Sequence, residues 1–162
     1  MIKYIKSPVK VDFKSKNDSD VIIFTAGSID MGKSKPWADD VFKFFLKNPS
    51  KSNITILNPR RDSWDSSMEQ SIDNPKFKEQ VDWELEGMKN SDYIVMNILP
   101  DSKSPITLLE LGLHANDGKI LICCPEGFYR KGNVDIICKD YKIPMFDTLD
   151  DLLDELKNKL NK

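Results

Sequence analysis

Short apolar, β-branched runs alternating with helical segments predict an α/β fold: a doubly wound, Rossmann- or flavodoxin-like parallel sheet of about five strands. Three observations carry this. Val21-Ile-Ile-Phe-Thr25, Ile54-Thr-Ile-Leu57, Tyr93-Ile-Val-Met-Asn-Ile-Leu99 and Lys119-Ile-Leu-Ile-Cys-Cys124 are too short for helices and almost continuously apolar. Strands buried on both faces have that composition. The segments between them place apolar residues at helical spacing, and a polar loop follows each run.

At 162 residues the chain supports one sizeable core and leaves little for a second. Residues 1–20 are polar and lysine-rich, an N-terminal extension with a short strand expected at Val9-Lys-Val-Asp-Phe13. The domain proper is expected over 21–162. After the Val21 strand, Trp37 to Lys47 has helical spacing and Asn48-Pro49 stops it. Ile54–Leu57 is the second strand, followed by a long polar segment from Asn58 to Asn74. Phe77 to Asn90 is the next helix, with Val81, Leu85 and Met88 expected on its buried side.

The Tyr93 strand leads to Ser104-Pro-Ile-Thr-Leu-Leu-Glu-Leu-Gly-Leu-His-Ala115. Ser104 is placed to supply an N-cap oxygen with Pro105 at the first helical position. Leu108, Leu111 and Ala115 share one face of this helix, with Leu109 and Gly112 close by. The Lys119 strand, a loop from Pro125 to Asn133 and a short helix or turn over Val134–Cys138 come next. Met145-Phe146 is a possible edge strand. Leu149 to Leu160 is an amphipathic helix with acidic residues early and Lys157 and Lys159 late, the order a helix dipole favours.

With 24 basic against 26 acidic residues and no basic block, the net charge of -2 argues against a nucleic acid polymer as partner. No apolar stretch approaches ~20 residues and no signal-peptide core is present, so a cytoplasmic protein without membrane attachment is expected. Cys123, Cys124 and Cys138 fit neither a disulfide framework nor a zinc pattern and are expected to be core thiols.

Open parallel sheets bind ligands at the carboxyl ends of their strands. The loops 26–36, 58–76, 100–105 and 125–133 should open on that edge. Gly27 and Ser28 begin a glycine-containing loop that ends at Lys33, a loose phosphate or sugar cradle or a plain turn; it lacks the Walker spacing. Asn58-Pro-Arg-Arg-Asp-Ser-Trp-Asp65 concentrates two guanidinium groups, two carboxylates and an indole. A planar ligand on Trp64 with Arg60 or Arg61 pairing an anion near Asp62 is one reading. An internally paired structural loop is the other. Glu110, in the second turn of a mostly apolar helix, must be paired, neutralised or put to use. Glu84 could meet it across the strand ends, whereas Asp92 suits a turn and His114 a packed surface position.

Gly27-Ser-Ile, Trp83-Glu-Leu-Glu-Gly-Met-Lys-Asn-Ser-Asp92 and Leu109-Glu-Leu-Gly-Leu-His-Ala115, in that order, resemble the nucleoside 2-deoxyribosyltransferase superfamily. Asn58–Asp65, Ser104–Gly112 and Cys124-Pro-Glu-Gly-Phe-Tyr-Arg-Lys-Gly-Asn-Val-Asp135 resemble its nucleoside 2-deoxyribosyltransferase-like branch, related to the deoxynucleoside 5′-monophosphate N-glycosidases. The resemblance implies an enzyme that cleaves or transfers at an N-glycosidic bond, with no cofactor and no metal. It implies that Glu110, in the Glu-Leu-Gly element, attacks the anomeric carbon. The family's second acid is an aspartate that helps protonate the leaving base, and Glu84 occupies its position. The transferases hold the sugar 5′-hydroxyl with an aspartate where this chain has Ser104; the N-glycosidases have a serine there that contacts phosphate. A hydroxyl at a helix N-terminus can bind phosphate and a carboxylate would repel it, so a 5′-monophosphate is favoured over a free nucleoside. Lys33 and Arg130 are candidate further phosphate ligands. The Arg130 to Asn133 segment is the candidate loop that related enzymes take from a neighbouring subunit, which implies a homodimer or higher oligomer. Two other readings stay open: a non-catalytic nucleotide sensor, and a glycohydrolase acting on NAD or an NAD-derived signal.

Overall fold

Along β2 (Asp20–Gly27) the side chains divide strictly by parity. Ile22, Phe24 and Ala26 enter one apolar cluster and Ile23 enters another. The same division runs through β4 (Tyr93–Asn97) and β5 (Ile120–Cys123), with Ile94, Met96, Ile120 and Ile122 on one side and Val95, Leu121 and Cys123 on the other. A sheet buried on both faces requires this, because successive side chains point to opposite faces. Burying each of these larger side chains contributes about 1.5–3 kcal/mol.

The computed structural model describes residues 1–29, 34–62 and 67–161. Among them the remaining elements are β1 (Ile2–Lys6), α1 (Trp37–Lys47), β3 (Asn53–Asn58), α2 (Pro75–Asn90), α3 (Pro105–His114), α4 (Lys131–Asp140), β6 (Met145–Phe146) and α5 (Leu149–Leu160). The strands form one sheet in the order β1-β3-β2-β4-β5-β6, every neighbouring pair parallel. Leaving out β1, this is the flavodoxin-like doubly wound order. Met88, Leu111, Val134 and Cys138 place α2, α3 and α4 on one face. Val41, Phe45, Leu152 and Leu156 place α1 and α5 on the other.

Helix starts follow the sequence where a polar side chain can reach back. Asn74 accepts from the N–H groups of Lys76 and Phe77 ahead of Pro75, and Thr148 caps α5 through the N–H of Asp151. Asp92 is the turn residue expected: its carboxylate accepts from the N–H of Ile22 at 2.8 Å and from Lys16.

Three local expectations are corrected. The N-terminal strand is Ile2–Lys6, not Val9–Phe13; it adds a sixth strand by pairing with β3. Val11 and Phe13 instead pack as an irregular strap against the core, and Val9 is exposed. Leu85 is exposed, because the inward face of α2 runs through Gln80, Gly87 and Met88. Gly87 is needed there: a Cβ would lie 2.8 Å from the Phe24 ring. The expected loop 125–133 ends early, since α4 begins at Lys131 and includes Asn133. No described helix is long and apolar enough to cross a membrane.

Candidate active site

The strand order reverses between β2 and β4, so the loops leaving their carboxyl ends part and open a crevice. Gly27 closes β2 with φ at 151°, and a Cβ there would sit 2.2 Å from the Asn97 carbonyl oxygen and 2.8 Å from the Trp37 ring. Only glycine lets the two strand ends approach this closely. Gly27→Ala is expected to destabilise the fold by about 2–3 kcal/mol, read as a lower midpoint in urea unfolding with unchanged slope.

Beyond Gly27, Ser28 donates its N–H to the Asn97 carbonyl at 3.0 Å, which fixes its hydroxyl in the crevice. There the buried hydroxyls of Ser28, Ser102 and Ser104 form a triangle, with separations of 2.6, 2.7 and 2.8 Å. Ser102 donates its proton to the Leu99 carbonyl, and Ser28 accepts from the Leu99 N–H. Ser28 and Ser104 therefore keep hydroxyl protons that can rotate toward a ligand.

Ser104 corrects the capping expectation. It stands in the left-handed region at φ 44°, ψ 48°, and its side chain makes no cap bond. The following Pro105 disfavours the helical conformation at this residue, and the left-handed turn swings its hydroxyl to Ser28. The first-turn N–H groups of α3 consequently have no side-chain cap.

The two glutamates lie on helices packed over the same sheet face. Glu110 is on the inward side of α3 with Thr107, Leu111 and His114. Leu109, by contrast, is exposed. Burial pushes the Glu110 carboxyl up to about 8, and the charge of Glu84 adds to the shift. Burial also raises Glu84, against the opposing effects of a hydrogen bond from Gln80 and the charge of Arg61. No described residue hydrogen bonds to the Glu110 carboxyl. At neutral pH the pair therefore retains a proton, and the groups that favour ionisation stand around Glu84.

Gln80 carries no motif signal in the sequence. It is buried, and its amide nitrogen donates to the Pro59 carbonyl at 2.8 Å and to Glu84 Oε1 at 2.7 Å. Its amide oxygen accepts from Ser7 Oγ at 2.7 Å and from Arg61 Nε. The available signal was its position one turn before Glu84, on the same helix face.

The remaining candidates fall in different places. Arg61 is held by Glu79 at 2.8 Å and by Gln80, and Arg60 donates to the Ser34 carbonyl at 2.6 Å. Asp62 is exposed and pairs with Lys6. Lys33 and Trp64, with Asp65, lie outside the described residues. Arg130 precedes α4, with its guanidinium 5.2 Å from the centre of the Tyr129 ring, and Asn133 is exposed in the first turn of α4. Tyr129 donates to the Lys103 carbonyl at 3.4 Å, so this loop joins the loop after β4. His114 is buried rather than at the surface: its Nδ1 pairs with Asp117 at 2.7 Å, and its Nε2 has no partner among the described residues. A hollow of about 710 Å³ lined by Lys16, Asp20, Asp92 and Lys159 lies at the opposite, amino-terminal ends of the strands.

Fold and crevice together define a class: a doubly wound α/β protein with a cluster of buried hydroxyls at its topological switch point and two interacting acids on helices over one sheet face. The chain belongs to the nucleoside 2-deoxyribosyltransferase-like family, whose profile matches residues 20–128, the span from β2 through the loop after β5. Glycosyl transfer at nucleosides is the general chemistry of that family. No curated protein matches the chain.

Proposed function

We propose that the protein is an enzyme that breaks the N-glycosidic bond of a nucleoside 5′-monophosphate through a covalent glycosyl intermediate on Glu110. The observation that carries this reading is that Glu110, buried on the inward side of α3, and Glu84, half-buried on α2 over the same sheet face, are close enough for the charge of Glu84 to raise Glu110. Retaining glycosyl chemistry needs one ionised and one protonated carboxyl.

In the first step a Glu110 oxygen bonds to C1′ as the C1′–N bond breaks, and the base nitrogen takes the proton of Glu84. In the second, water or another base bonds to C1′, its proton passes to Glu84, and Glu110 leaves as a carboxylate. Without substrate the proton of the pair rests on Glu110. A sugar seated there brings the partial positive charge of C1′ against Glu110, which favours its carboxylate and leaves the proton to Glu84.

The phosphate preference rests on Ser28 and Ser104, both buried, together with the uncapped start of α3. Lys33 and Arg130 are proposed as further ligands of the phosphate. A second copy of the chain supplies the Arg130–Asn133 segment; a clean monomer in gel filtration that still turns over nucleotide would overturn that part.

The test is to incubate wild type and Glu110→Ala with deoxynucleoside and nucleoside monophosphates, free nucleosides and NAD, following released base by chromatography. Wild type is expected to release base from monophosphates at least ~10-fold faster than from nucleosides, and Glu110→Ala from none. Absence of release even with an acceptor base, with binding retained, would replace this reading by a sensor. The proton held on Glu110 would suit that role as a hydrogen-bond donor.

A further inference from the structure

We propose that Gln80 is a positioning residue of the acid pair: its amide, locked in one orientation by Pro59 and Arg61, turns the Glu84 carboxyl and holds the pair's negative charge on Glu84 until substrate arrives. The proposal rests on Glu84 and Glu110 acting as the reacting acids.

A primary amide has two donors and two acceptor lone pairs, and Gln80 uses all four. The reverse orientation would set its oxygen against the Pro59 carbonyl and its N–H groups against the Arg61 Nε–H. Both contacts are repulsive, so the orientation is dictated by the neighbours and Glu84 must receive an N–H. That bond occupies Oε1 and leaves Oε2 as the oxygen that takes up and delivers the proton.

Glu84 is faced by Gln80 from its own helix, by Arg61 from the segment after β3 and by Glu110 from α3. Arg61 is shared with Glu79. Burial disfavours charge on Glu84, the first two favour it, and that charge in turn raises Glu110. The brace is anchored beyond the two acids as well. Ser7 follows β1 and donates its N–H to the Asn58 carbonyl at 3.0 Å, and the neighbouring Trp83 donates to the Val9 carbonyl at 2.8 Å. The first residues of the chain thus hold the amide that holds the acid.

The experiment is an NMR titration of the whole chain, free of ligand, with isotope-labelled glutamate carboxyl carbons and glutamine side-chain amides. In wild type the Gln80 amide resonances are expected to shift with the midpoint of Glu84, and amide signals that stay flat through that midpoint would overturn the proposal. In Gln80→Met, which keeps the volume and loses the bond, the Glu84 midpoint is expected to rise by about one pH unit. An unchanged midpoint in a folded variant would equally overturn it. If the variant does not fold, the wild-type amide signals decide.

Turnover supplies the second readout. In Gln80→Met the acid limb of kcat/KM, which reports loss of the pair's first proton, from Glu84, should move up with the Glu84 midpoint. A purely structural role would lower kcat and leave both limbs in place. Wild type without turnover on any substrate would sink the glycosidic reading, while the titration would still decide the role of Gln80.

Discussion

Glu110→Gln is expected to lower kcat by at least ~10³-fold while raising the melting temperature at pH 8 by several degrees. The first effect follows from removing the oxygen that bonds to C1′, which an amide of the same shape cannot replace. The second comes from the cost of keeping that acid buried. Its carboxyl is raised from 4.5 to about 8 in the folded protein, so between those values the native state binds a proton that the unfolded chain has released. The contribution of the group to stability is then fully present below the ordinary value and is lost as pH rises toward about 8. At one pKa unit per about 1.4 kcal/mol, the loss is on the order of a few kcal/mol. Glutamine stays neutral throughout, so the gain in melting temperature should be small at pH 4.5 and grow to pH 8. Calorimetry on both proteins across that range checks it. An equal gain at all pH values would show that Glu110 is not held protonated, and undiminished turnover would remove it as nucleophile. Opposite movements of activity and stability are expected where a fold stores cost in its site.

The core was legible because parity and helical spacing are local. Ile22, Phe24 and Ala26 against Ile23 can be read off the chain, and α1 and α5 keep the bounds their patterns imply. What escaped depends on partners far away in sequence. Ile2–Lys6 carries two lysines and alternates weakly, since an edge strand half covered by its neighbour needs no continuous apolar run. The apolar spacing of α2 also points Leu85 inward, but the buried side runs through Gln80, Gly87 and Met88, of which an apolar count selects only Met88. Glu110 stands out as a charge in an apolar helix, but the surroundings of Glu84 do not: they are set by Gln80 and by Arg61, which comes from the segment after β3. The place of Ser104 before Pro105 predicts a cap. That proline disfavours the right-handed helical conformation at Ser104, which stands in the left-handed region and joins a hydroxyl triangle with Ser28 and Ser102 instead.

That triangle carries the second large effect. Ser104→Asp is expected to lower kcat/KM for a deoxynucleoside monophosphate by ~10³-fold, about 4 kcal/mol, while leaving the free nucleoside unchanged or improved. Aspartate tolerates the left-handed backbone at this position, so the turn is kept. A carboxylate there can accept the proton of Ser28, whose hydroxyl lies 2.6 Å away in the native protein, and so stays ionised. It would then face the phosphate as a like charge in a crevice poorly screened by water. A 5′-hydroxyl in place of the phosphate has a proton to give it, and the added carboxylate becomes an acceptor rather than a source of repulsion. Ser104→Asn separates charge from bulk: it fits the same backbone and adds nearly the same volume without the charge, so its loss on the monophosphate should be ~10-fold and similar for both substrates. If aspartate and asparagine weaken the monophosphate equally, the effect is steric and the phosphate lies elsewhere. If aspartate lowers both substrates equally, the hydroxyl triangle serves the sugar or the fold, and selection for the phosphate falls to the residues of the neighbouring loops.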